Sequence, residues 1–212
     1  MNRKNFLCMN RYVLIVLAAA AISMAGCGGC THQTPAGDGA DSAEVFQNPE
    51  QTIFGICGEG SAMNTLQVMT DGGDTLTLSL DEANERGRVF GGYDCGDRMA
   101  VVLGDDSTAA RLVINVTTLL GNWLMAAPSG GGSSVGISLK DGGKAESIGR
   151  NAMACKAWRI AGGRLEISAA AEGGGGGDDI YVYDIVKLDA DSLAFAGGGD
   201  VFRYARQDAG GL

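Results

Sequence analysis

The sequence predicts an all-β protein of two small barrels, one of OB or SH3-like kind over 52–118 and an eight-stranded up-and-down barrel over 119–207. Three observations predict it. Leu76, Leu78 and Leu80 alternate with Thr75, Thr77 and Ser79, the period of a half-buried strand with one wet face. The chain of 212 residues carries 35 glycines, 3 prolines and 45% apolar residues, which suits many short strands joined by glycine turns. Finally, Leu119-Leu120-Gly121-Asn122-Trp123 closes one run of short strands and opens another, so the chain divides there.

Before the first strand come two segments of different character. Arg3, Lys4 and Arg11 precede an apolar run over 12–22, which is about half the roughly 20 residues a membrane-spanning helix needs and so reads as a signal peptide over 1–26. Ser23-Met24-Ala25-Gly26-Cys27 resembles a bacterial lipobox, with Met24 where Leu is more usual. The resemblance implies cleavage before Cys27 and more than one acyl chain on it, which anchors stably where a single chain is reversible. The 27–51 segment is rich in Gly, Thr, Gln, Pro, Ala, Asp and Ser without an apolar period, and reads as a flexible tether. Its first acid is Asp38. In some Gram-negative groups acids just after the lipidated Cys accompany export to the outer face, so this spacing favours the periplasmic face of the outer membrane. Asp41-Ser42-Ala43 matches an acid-hydroxyl-small pattern that some anaerobic Gram-negative bacteria O-glycosylate, which makes Ser42 a candidate acceptor.

Charge narrows the function. The whole chain carries −9, and without the leader's three cations 13 basic residues face 25 acidic ones, or −12. Such a surface disfavours nucleic acid, whose phosphates demand a basic face, and an anionic membrane would repel it unless an anchor held it there.

In the first module, Leu66 and Val68 alternate ahead of the turn Asp71-Gly72-Gly73-Asp74, and 75–80 returns as the second strand of a hairpin. Segments 53–57, 88–92, 98–103 and 111–116 supply further strands, and 81–86 is polar enough for a helical turn or a loop. Five or six strands in about 65 residues suit a small barrel. Once Cys27 is acylated and Cys8 has left with the leader, Cys30, Cys57, Cys95 and Cys155 remain. In an oxidising compartment they allow three pairings. Cys57 with Cys95 is preferred because both lie in one small module.

Catalytic and metal chemistries find little purchase. The sole histidine, His32, lies in the tether, whereas triads, Cys-His pairs and His-rich metal sites need an imidazole held in a pocket. Gly55-Ile56-Cys57-Gly58-Glu59-Gly60 has Met63 where a dinucleotide loop needs its third glycine, and Gly142-Gly143-Lys144 lacks the upstream glycine of a phosphate loop. Asp105-Asp106, Asp178-Asp179 and Asp189 with Asp191 lack the spaced ligands of a calcium loop. The expectation is a non-enzyme with no cofactor and no metal.

The second module reads as eight strands: 123–126, 135–139, 144–148, 155–160, 164–168, 179–187, 193–196 and 201–205, joined mostly by short turns such as Gly162-Gly163, with 208–212 as a disordered tail. Such a meander removes its own edges by closing. Gly121-Asn122-Trp123 at its head and Arg203 on its last strand resemble the signature of the lipocalin (calycin) barrels, and the module is similar to the lipocalin-like domains of envelope lipoproteins of Gram-negative anaerobes. The resemblance implies that Arg203 lies across Trp123 and closes the barrel base, and that Gly121 permits close backbone approach. It also implies a small apolar ligand in the mouth, where Met125, Trp158, Tyr181 and Tyr183 are candidates to face it. Strands of about six residues are short for the family, and Trp158, Ile160, Leu165, Ile167, Val182 and Val186 are expected to fill much of the interior. Two functions follow: an anchored binding protein for a small apolar ligand, or a structural accessory protein of the envelope with a filled barrel.

Overall fold

A computed structural model describes residues 51–125, 134–149, 153–171 and 177–207, all within one compact unit, Ala40–Leu212. The leader, Cys27, His32, Ser42, the tether and the tail at 208–212 lie outside the described residues.

The first sheet comprises β1 (Thr52–Cys57), β2 (Thr65–Thr70), β3 (Thr75–Ser79), β4 (Val89–Phe90), β5 (Arg98–Leu103) and β6 (Ala110–Asn115), with a short helix α1 (Asp81–Glu85) after β3. Its order is β3-β2-β1-β5-β6-β4, antiparallel throughout except where β4 runs parallel to β6. Ser79 at the end of β3 forms a parallel bridge to Ala109 just before β6, so the sheet curls back on itself. The outcome is a partly open Greek-key barrel with a helix in the crossover, the OB arrangement of the two that the sequence suggested. Ile53, Cys57, Leu66, Val68, Leu78, Leu80, Met99, Val101, Leu103, Ala110 and Val113 fill it.

A four-residue helix, α2 (Val116–Leu119), leads into the second sheet: β7 (Gly121–Met125), β8 (Val135–Leu139), β9 (Ala145–Ile148), β10 (Cys155–Ala161), β11 (Arg164–Ala170), β12 (Asp178–Leu188), β13 (Ser192–Gly197) and β14 (Asp200–Arg206). Asn115 caps α2 by accepting from the Thr118 N–H at 2.9 Å. Each strand pairs antiparallel with the next except β9 with β10, and β14 returns to β7. Only the bridge between Lys144 and Ala157 joins β9 to β10. The result is a nearly closed eight-stranded up-and-down barrel.

The two barrels are cored together. Phe90, Ala100 and Ile114 from the first sheet belong to the same buried cluster as Trp123, Trp158, Ile160, Leu165 and Leu193 from the second. The sequence 99–103 announces this: Met-Ala-Val-Val-Leu has no alternation, and every one of these residues is buried. Odd positions point into the OB barrel, and Ala100 points to the shared core. A strand covered on both faces reads as a continuous apolar run. The tip of the β10–β11 hairpin seats against this wall: a Cβ on Gly163 would lie 2.8 Å from Val102 Cγ2, and its N–H donates to Thr52 Oγ1 at 2.9 Å. On the other side the Gly91 N–H donates to the Leu188 carbonyl at 2.9 Å.

Candidate functional site

The base of the second barrel is built on Trp123. Its side chain is fully buried, its indole N–H donates to the Leu119 carbonyl at 2.9 Å, and a guanidinium stacks on its face 4.1 Å from the ring centroid. That guanidinium belongs to Arg206, not Arg203. The correction follows from strand parity: Phe202, Tyr204 and Arg206 turn inward, whereas Val201, Arg203 and Ala205 are exposed. Arg206 sits opposite Trp123 in the β14–β7 register. It donates to the carbonyls of Leu120 at 2.7 Å, Thr118 at 2.5 Å and Ala190, and burial holds its pKa below the usual arginine value. Gly121, at φ 139, leaves room for it, since a Cβ there would lie 2.3 Å from Arg206 Nη1. A flat cation on an indole is worth about 0.5–2 kcal/mol.

From the middle of the barrel towards the β13–β14 turn, the inward side chains change character. Tyr183, Phe195, Phe202 and Tyr204 form one aromatic cluster, with centroid separations of 4.7 Å for Tyr183–Phe195 and 5.7 Å for Tyr183–Phe202. Phe195 stacks on Tyr204 at 5.2 Å. Tyr181, Phe202, Tyr204, Met153 and Cys155 are only partly buried where they pack on the core. Burial, reinforced by Tyr183 and Cys155 nearby, pushes the Tyr204 phenol up to about 12, and burial also raises Tyr183. Both remain protonated hydrogen-bond donors at any physiological pH. Below this rim the interior is occupied by Ile137, Leu139, Trp158, Ile160, Leu165, Ile167, Ile185 and Leu193, all buried.

The ligand-facing candidates therefore part company. Tyr181 and Tyr183 lie in or beside the aromatic end. Trp158 is buried at the opposite end, its indole N–H donating to the Lys140 carbonyl at 2.8 Å. Met125 borders a surface depression of about 410 Å3 with Ser134, Arg203 and Tyr204. Of the residues expected to fill the interior, Val182 and Val186 are instead exposed on the outer wall, being of opposite parity to Tyr181 and Tyr183. Phe202, Tyr204 and Arg206 escaped notice, although their spacing of two on the last strand was the signal that gives them one common face.

A second hollow lies where the barrels meet. Phe54, Val116, Leu120, Trp158 and Ile160 line a cleft of about 460 Å3, edged by Arg98, Thr117, Asp141, Gly142, Gly143 and Arg159. Arg98 is fixed by Asp71, both guanidinium ends meeting the carboxylate at 2.5 Å, and rests 5.6 Å above the Phe54 ring.

The preferred disulfide does not form: Cys57, Cys95 and Cys155 are free thiols. Cys57 is turned into the OB core, 3.2 Å from Ser61 Oγ, while Cys95 is exposed. Burial raises the Cys57 pKa, which makes it a poor nucleophile. No group of three metal-ligating side chains converges among the described residues.

A family profile described as lipocalin-like matches residues 115–207, a span that starts at the cap of α2 and ends one residue past β14. No curated protein matches the chain. Among solved structures, the crystal structure of a lipocalin-like protein from Bacteroides thetaiotaomicron VPI-5482 is similar, with 28% identity, 42% of this chain and 97% of that one covered, and a TM-score of 0.38. The profile match covers the nearly closed meander with its Trp123 base and supports a lipocalin-like domain over residues 115–207.

Proposed function

We propose that the protein is an envelope lipoprotein, held by acyl chains on Cys27 at the periplasmic face of the outer membrane, whose lipocalin-like barrel binds a small apolar ligand without transforming it. The observation that carries the binding is the aromatic end of the barrel. Tyr181, Phe202 and Tyr204 keep apolar surface partly exposed above a filled core, and the Tyr204 phenol remains a donor. An apolar surface with a few placed polar groups is the usual composition of a small-ligand site. Because the lower interior is occupied, the ligand sits shallowly and is smaller than a long-chain lipid. The leader and lipobox support the anchor.

Displacement of a fluorescent apolar dye by a panel of fatty acids and bile acids tests the binding. Saturable displacement that weakens at least tenfold in Phe202→Asp supports it; a dye that never binds saturably sinks it. The filled interior favours a second reading, a structural accessory protein of the envelope. In that case the dye fails to bind and a stoichiometric envelope partner co-purifies.

A further inference from the structure

The aromatic end of the barrel also carries a charge pattern, and strand parity sets it. Side chains two residues apart share a face. On β12 the inward set therefore runs Asp179, Tyr181, Tyr183 and Ile185, and on β14 it runs Asp200, Phe202, Tyr204 and Arg206. Each strand brings one exposed carboxylate to the rim on the same face as its rings, about 7 Å along the strand from Tyr181 and from Phe202 respectively. The cross-strand partners agree with this. Asp179 stands opposite the fully buried Ala169, and Asp200 stands opposite Gly197. A Cβ on Gly197 would lie 2.6 Å from Tyr183 Cδ1, so the Tyr183 ring takes the place of that missing side chain, next to the strand position of Asp200.

The cations of this wall turn the other way. On the outer face Lys156 pairs with Asp178 and Arg164 with Asp184, and Arg203 is exposed there. Arg206 does face inward, but it is committed to the Trp123 ring and three carbonyls at the base. Neither Asp179 nor Asp200 meets a cation among the described residues. The faces of aromatic rings carry partial negative charge and attract an alkylated ammonium, more strongly as water is excluded. Carboxylates on the same face add to that attraction and oppose an anion.

We infer that the aromatic end takes an organic cation, an alkylated ammonium on a small apolar body, with the ammonium against Tyr181 and Phe202 between Asp179 and Asp200. The inference rests on the binding role proposed for that end and narrows it by charge.

Displacement of the neutral dye N-phenyl-1-naphthylamine by three phenols of one shape tests it. (4-Hydroxyphenyl)trimethylammonium, 4-tert-butylphenol and 4-hydroxybenzenesulfonate carry a positive, a neutral and a negative group of similar size. The cation should displace the dye at a concentration at least about tenfold below that of the neutral compound, and the sulfonate should be the weakest of the three. The gap between cation and neutral compound should narrow as sodium chloride rises from about 20 to 500 mM, because the Debye length shortens. In the double variant Asp179→Asn with Asp200→Asn the cation should come within about twofold of the neutral compound. Asp178→Asn with Asp184→Asn removes equal charge from the outer face and should keep the gap. All four carboxylates are exposed, so both double variants read recognition and not the core. Equal displacement by the cation and the neutral compound overturns the inference and leaves the binding role standing. A preference for the sulfonate overturns it too, as does a cation preference that survives loss of both Asp179 and Asp200. A dye that never binds saturably overturns the inference and the binding role together.

Discussion

Replacing Arg206 by alanine should destabilise the protein more than any other single change at an arginine of the second barrel. In the structure its guanidinium stacks on Trp123 at 4.1 Å and donates to three carbonyls that belong to α2, the linker and the β12–β13 turn. The cation–π contact is worth about 0.5–2 kcal/mol, and hydrogen bonds to a charged group about 1.5–3 kcal/mol each. These contributions do not add, because water replaces the donor at the exposed Ala190 carbonyl and burial of the cation already carries a cost. A loss of about 3–5 kcal/mol is the working figure, close to that for removing one partner of a buried charged group. For a folded body of this size it lowers Tm by roughly 6–20 °C. Urea unfolding followed by tryptophan fluorescence in a Trp158→Phe background reads it, since Trp123 is then the sole reporter and sits under the guanidinium. Arg203→Ala, on the exposed face, should change stability by less than about 0.5 kcal/mol. A loss below about 1 kcal/mol for Arg206→Ala, or an equal loss for Arg203→Ala, refutes the account of the base.

Further expectations concern pH, the hairpin and the anchor. The Tyr204 pKa, raised from 10.0 to about 12, means that the folded state holds the phenolic proton more tightly than the unfolded one. Its contribution is whole below pH 10 and is lost as pH rises through about 12; solvent screening of this partly exposed phenol reduces it to about 1–2 kcal/mol. Tyr204→Phe should flatten the alkaline decline in urea midpoint, and a wild-type midpoint that stays constant from pH 9 to 12 contradicts the assignment. Gly163→Val sets a Cβ 2.8 Å from Val102 Cγ2 at φ +72 and should cost about 2–4 kcal/mol from strain and overpacking together. Gly142→Ala, at φ +71 with open space around it, should cost only the backbone component of about 1–2 kcal/mol; similar losses for the two would show that hairpin packing plays no part. Cys27→Ala should abolish palmitate incorporation and release the protein from membranes, and continued partitioning with membranes rules out the lipid anchor.

Period and turn chemistry carried most of the fold in the sequence. Glycine pairs at Gly72-Gly73 and Gly162-Gly163 sit at hairpin ends, and the alternating leucines of 76–80 locate β3. The partner of Trp123 was legible in kind but misplaced by three residues. A strand reverses face at every step, so counting inward from Tyr204 reaches Arg206 and never Arg203. The shared core was written in 99–103, yet a run of apolar residues states that two faces are covered without naming what covers them. The seam cleft was illegible for a related reason: Phe54, Leu120 and Arg159 are separated by tens of residues and meet only because the hairpin tip lands on β1. Cys57 is buried and Cys95 exposed, both as free thiols, and nearness in sequence does not by itself set the geometry a disulfide needs.

The hydrogen bond between Gly163 and Thr52 also sets a direction. Thr52 opens β1, and its hydroxyl meets the hairpin tip at the Trp123 end of the barrel. Along β14, Tyr204 stands two residues and Phe202 four residues from Arg206, about 7 and 13 Å. The aromatic cluster is thus reached in steps from the end where the two sheets join, Tyr204 first and Phe202 beyond it.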